Sequence, residues 1–321
     1  MFLKFKLSSL AVIAGLAALF GTGAISSAQE TGGGYQLVKD WATIPDGGAW
    51  GTMAAVSTDA HGNVYAFQRG DTAKVMVFDA HGKFLRQWGT DEFEFPHGLT
   101  VGSDGSVWIS DKKREQVMKF SPAGKLLMTI GQKDVTGEAT SENAFNGLAN
   151  VAIGKNGDIF VADGENSAPG VPPYNNRVVK YSKEGKFLKM WGTKGAAQGE
   201  FTVPHSIAVD SKGHVWVGDR GNKRMQVFDA DGKFLVEYTQ FGAPASIYIS
   251  KDDTVYVGGK DNIVIGRLDG TVIATIDDVP DPHGIAVDET TGAIYVAQVG
   301  PKAILKFVKK SFTIGRNRSC P

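Results

Sequence analysis

The chain has 321 residues, carries 34 Lys plus Arg against 34 Asp plus Glu, and holds one cysteine, Cys320. Balanced charge with no basic stripe argues against nucleic acid as a partner. A lone cysteine next to the C-terminus excludes an internal disulfide and a cysteine-held metal, so the fold must rest on packing, with or without a metal held by other side chains.

Residues 1–28 read as an export signal. Lys4 and Lys6 form a basic start, the run from Leu10 to Phe20 is apolar, and Ser26-Ser27-Ala28 offers small residues for cleavage before Gln29. An uncleaved anchor is the alternative, but the run is short for a membrane span. The expectation is a monomer in the periplasm or outside the cell, with no membrane span in the mature chain. About 290 residues then remain, enough for one large domain with its own core.

Residues 29–308 read as all-β. Val, Ile, Phe and Tyr alternate with polar residues, and helical periodicity is hard to find. The underlying repeat is an apolar strand, a turn rich in Asp, Asn and Gly, and an apolar–aromatic–apolar strand. Copies are "VSTDAHGNVYAF", "LTVGSDGSVWIS", "VAIGKNGDIFVA", "IAVDSKGHVWVG", "IYISKDDTVYVG" and "IAVDETTGAIYVA". The aromatic marker falls at Tyr65, Trp108, Phe160, Trp216, Tyr256 and Tyr295, at spacings of 43, 52, 56, 40 and 39 residues. A period near forty with about four strands per unit predicts a β-propeller, here six-bladed. The last unit lacks a good fourth strand. "YQLVKDWA" (35–42) resembles the outer strand "GKFLRQWG", so the N-terminal strand is expected to close the ring and remove two sheet edges. The long spacings mark insertions, and the one at 164–176, "GENSAPGVPPYNN", reads as a loop at the top of a blade. Residues 309–321 form a tail.

His61, His81 and His214 fall in turns and read as surface residues. His97, His205 and His283 each follow proline, in "FPHGL", "VPHSI" and "DPHGI". Aligned on the aromatic markers, blades 1 to 6 carry Ala54, His97, Ala149, His205, Ala245 and His283 at one position, with His283 set back one residue by the longer turn "DETTGA". The first strand of each propeller blade lines the central channel. Histidines on alternate blades are therefore expected to converge, as the three protein ligands of a catalytic zinc site. Iron, copper or nickel also suit three imidazoles, and imidazoles bonded to water or to each other are the metal-free alternative.

The repeats resemble NHL repeats, a family that forms such propellers, over nearly the whole chain after the signal. More narrowly, "FPHGLTVGSDGSVWISD", "VPHSIAVDSKGHVWVGDRGNKRMQVF" and "DPHGIAVD" resemble the peptidyl-α-hydroxyglycine α-amidating lyases. That resemblance implies zinc on His97, His205 and His283, and cleavage of a carbinolamide to an amide and glyoxylate. It implies Arg69 ("VYAFQRGD") and Arg220 ("VGDRGNKR") as holders of the substrate carboxylate; structural pairing with Asp71 and Asp219 is the alternative. It implies a tyrosine base after Asp-Gly. Here Glu165 follows Asp163-Gly164 and Tyr174 comes after the insertion, so Tyr174 is the expected base and Glu165 its rival. The family's channel calcium is the weaker expectation: Val56 and Leu99 match its carbonyl positions, but Gly284 replaces its aspartate. Asp281 stands where the family has methionine. Two other readings stay open: metal-dependent hydrolysis, as in lactonase-like propellers, and a binding module without activity.

Overall fold

A computed structural model describes residues 28–30, 33–165 and 174–310. The expected signal segment up to residue 27, residues 166–173 of the insertion and the tail from residue 311 lie outside the described residues. Six antiparallel sheets, five of them meanders of sequential strands, make the blades of the expected propeller. The innermost strands are Thr52–Thr58, Pro96–Val101, Leu148–Ile153, Pro204–Val209, Ser246–Ile249 and Pro282–Val287. Blade 6 is completed by the N-terminus, as the sequence predicts. Tyr35–Val38 pairs antiparallel with Ala303–Lys309, Leu37 facing Phe307. A further short strand, Ala28–Glu30, covers its outer edge, so the expected cleavage after Ala28 would fall inside that strand.

The core is divided among the wedges between neighbouring blades. Six buried apolar clusters fill them, and each holds one of the six aromatic markers. A sheet buried on both faces needs such near-continuous apolar strands. Tyr35 extends the last wedge by bonding Tyr256 of blade 5. Turns repeat one device. In Asp79–Lys83 the aspartate Oδ1 accepts the backbone N–H groups of His81 and Lys83, and Gly82 takes φ +85°. No side chain fits at Gly82, because its Cβ would fall 1.6 Å from the Trp41 carbonyl oxygen.

The top loops are fixed by a buried aspartate at the end of the second strand. Asp111 accepts from Glu94 and Phe95, Asp163 from Asn146, and Asp219 from Thr202 and Val203, all backbone N–H groups just ahead of an inner strand. In blades 3 and 4 an arginine completes the staple. Arg177 bonds Asp163 and the carbonyls of Ala139, Ser141 and Ala144. Arg224 bonds Asp219 and the carbonyls of Ala196, Ala197 and Glu200. These fully satisfied networks hold the insertions and set the rim above the channel.

Candidate metal centre

His97, His205 and His283 stand at the second position of three inner strands, each behind the proline that opens the strand. The strand pairing slips at this point. Pro96 faces Asp111 and Gly98 faces Ser110, leaving His97 as an extra, bulged residue. The same shift occurs around His205 and His283, and around Ala54 and Ala149 on the intervening blades. A β-bulge re-aims one side chain out of the pleat, here toward the propeller axis. The three rings converge with centroids 4.9, 4.9 and 5.1 Å apart, and one potential ligand atom from each lies within 4.8 Å of the others.

The alanines between them do more than leave space. His97 Nδ1 donates to the Ala149 carbonyl at 2.7 Å, His205 Nδ1 to Ala245 at 2.6 Å, and His283 Nδ1 to Ala54 at 2.7 Å. Each imidazole is thus locked by a backbone carbonyl of the next blade. With the proton on Nδ1, each Nε2 presents a lone pair, the second-shell arrangement that orients a metal-ligating histidine. Burial, with the Arg220 charge adding to it, holds His205 well below the ordinary histidine range; burial and then His97 push His283 down to about 3. Both therefore stay neutral at physiological pH. The Nε2 atoms of His97 and His205 are buried without a hydrogen-bond partner. Three converging imidazoles, two of them with orphaned Nε2 atoms, fit a divalent metal such as zinc.

Glu165 lies over the triad. Its Oε2 is 2.8 Å from His97 Nε2 and 3.0 Å from Lys112 Nζ; its Oε1 is 3.7 Å from His205 Nε2 and 3.6 Å from Arg220 Nη2. Burial opposes its ionisation, but His97, His205 and Lys112 outweigh that and hold the carboxyl well below its usual range. Its place follows from Gly164 and Gly147. The Gly147 carbonyl accepts both Gly164 and Glu165 N–H groups, and a Cβ at Gly164 would sit 2.6 Å from the Asn176 Cα. Sequence reasoning had Glu165 only as a rival base and missed Lys112, whose neighbours in "SDKKREQ" look like an ordinary solvated charge run.

The two arginines face this centre and not the aspartates beside them. Arg69 donates from Nε to the Pro96 carbonyl at 2.8 Å, stacks 4.4 Å over Phe95, and leaves Nη2 buried without a partner. Glu165 and Asp281 act electrostatically on both Arg69 and Arg220, so all four charges share one rim. Asp219 is taken by Arg224 instead. Asp281 accepts from Gly300 N–H and its carbonyl takes the His283 N–H, so it shapes the entry to that strand. Tyr174 borders the site, its ring packed where a Gly147 side chain would stand. Among the described residues no hydrogen bond ties its hydroxyl to the triad. Burial, together with the charges of Glu165 and Glu115, raises its pKa, which favours the neutral phenol. The turn histidines behave as expected except His214, which is half-buried and bonded to Asp210.

Below the triad the channel continues as a cavity of about 190 Å³. Val56, Leu99, Val151, Ile207, Ile247 and Ile285, one from each blade, form its next layer. Among the described residues the lining contains no carboxylate. At Gly284 a Cβ would fall 2.8 Å from the Ala55 Cα, so an aspartate has no room there. Position 284 therefore supplies no carboxylate for a channel calcium.

The NHL repeat family model matches residues 201–228, which span the His205 strand and the two that follow. Human NHL repeat-containing protein 3 is 33% identical over 300 residues, covering 85% of this chain and 84% of that protein. Peptidyl-alpha-hydroxyglycine alpha-amidating lyase 1 of Drosophila melanogaster is 29% identical, covering 81% of this chain and 58% of its own length. Among solved structures, a gluconolactonase from Xanthomonas campestris superposes with a TM-score of 0.64 at 12% identity, over 86% of this chain and 89% of that one, a likeness of fold.

Proposed function

Since the chain belongs to the NHL-repeat family, with relatives named as amidating lyases, we propose that it is a metal-dependent lyase acting on a carboxylate-bearing α-hydroxyglycine amide. The observation that carries this reading is the triad: three imidazoles with Nδ1 pinned to backbone carbonyls, beneath a rim of cations. His97, His205 and His283 would hold zinc, which when bound supplies Lewis acidity to an oxygen of the substrate. Arg69, with its unpartnered buried Nη2, and Arg220 bind the carboxylate, the pairing that a guanidinium makes best. Glu165, ionised and over the triad, takes the hydroxyl proton; the C–O bond becomes a carbonyl and the C–N bond breaks. The electron pair passes to nitrogen, which receives the proton back from Glu165 and leaves as a primary amide, with glyoxylate as co-product. We assign Tyr174 to hydrogen-bond donation and not to the expected role of base, because its surroundings keep the phenol protonated. With residues 1–28 read as an export signal, the reaction takes place in the periplasm or outside the cell.

The test is to offer α-hydroxyhippurate to metal-loaded protein and assay glyoxylate and benzamide. The reading predicts both in equal amounts, and neither from a variant with all three histidines changed to Ala. Metal-bound protein that releases no glyoxylate would remove the lyase assignment.

A further inference from the structure

We infer that Glu165 is a fourth metal ligand in the resting protein, closing the coordination shell until substrate displaces it. The inference rests on the metal reading above and adds a ligand that the triad alone does not supply. Its basis is the placement of the carboxylate, 2.8 Å from His97 Nε2 and 3.7 Å from His205 Nε2. Each imidazole spends its N–H on an alanine carbonyl of the next blade. His97 Nε2 and Glu165 Oε2 face each other at 2.8 Å, with Lys112 Nζ at 3.0 Å from the same oxygen. With the proton on Nδ1, a nitrogen lone pair and a carboxylate this close are ready to share a cation. Lys112 and Arg220 approach the carboxylate at 3.0 and 3.6 Å, one at each oxygen. A divalent ion at the convergence of the Nε2 atoms and the carboxylate would take up the orphaned Nε2 atoms of His97 and His205.

The carboxylate is well placed to serve. Glu165 is 6% exposed, and its backbone N–H is held by the Gly147 carbonyl at 2.7 Å. Three imidazoles and one carboxylate would supply four protein ligands, a set suited to zinc or cobalt(II). A catalytic site built from the triad alone keeps an open position; this one does not until Glu165 moves. Lys112 then remains as the partner that keeps the freed carboxylate beside the substrate.

The experiment uses cobalt(II) as the metal and thiocyanate as a probe of an open position. Apoprotein is loaded with cobalt(II), its visible absorption recorded, and thiocyanate titrated in; folding of each variant is checked by circular dichroism. In the wild type the spectrum is expected to resist thiocyanate. In Glu165→Gln thiocyanate should shift it to saturation, and cobalt(II) affinity should fall at least tenfold. Glu165→Asp keeps the charge but withdraws the oxygens by one methylene, and should behave as Glu165→Gln. A wild type that takes up thiocyanate as readily as Glu165→Gln, or a Glu165→Asp that matches the wild type, would overturn direct ligation. A wild type that binds no cobalt(II) would instead sink the metal reading itself, and this inference with it.

Discussion

At the scale of single residues, the site depends on matching protons and charges across blades. Arg69→Ala or Arg220→Ala should raise KM for a carboxylate substrate about 10- to 100-fold, as expected when one charge-assisted contact of about 1.5–3 kcal/mol is lost. Steady-state kinetics with α-hydroxyhippurate, beside a neutral analogue that neither change should affect, checks this. The three histidines were legible in the sequence because six copies of one repeat provide an internal ruler. Their partners were not. A backbone carbonyl leaves no mark in a sequence, so Ala54, Ala149 and Ala245 looked like mere spacers and not like the acceptors that set the tautomer. Glu165 and Lys112 were hard to place for a different reason. Each lies just beyond a second strand, where the repeat ends and loop geometry decides direction.

At the scale of elements, a bulge at the head of the inner strand turns a sheet residue into a channel ligand. The proline before each histidine signalled a special entry, but a bulge is a property of pairing between two strands and cannot be read from one. The joint between blades 2 and 3 carries a further consequence. Glu115 accepts the N–H groups of Gly147 and Leu148, the segment whose Gly147 carbonyl holds Glu165 and whose Ala149 carbonyl holds His97. Burial, and to a lesser degree the Asp163 charge, push Glu115 up to about 7, while the two amide bonds and Lys112 pull it down. A carboxyl whose pKa is raised on folding stabilises the protein below its unfolded value and loses that contribution as pH rises through its folded value. Wild-type stability should therefore fall relative to Glu115→Gln between pH about 4.5 and about 7. After discounting for solvent screening, the change should be roughly 1–3 kcal/mol. Melting temperatures of both proteins across that window give the answer, and a constant gap would contradict the assignment.

At the scale of the whole molecule, the six blades were legible because each wedge needs one large aromatic, and those six residues keep the period through insertions. The closing strand was legible for a similar reason: blade 6 lacked a fourth strand and residues 35–42 had no sheet of their own. At Gly284 two inner strands approach too closely for any side chain, a property of the assembled ring that no single strand shows. A ring of this kind brings positions 97, 205 and 283, far apart in the chain, to one point on its axis. The account therefore stands on the metal content of that point. Elemental analysis of the purified wild type should find one divalent metal per chain, and none in the variant carrying His97→Ala, His205→Ala and His283→Ala. Equal metal in the two proteins would contradict it.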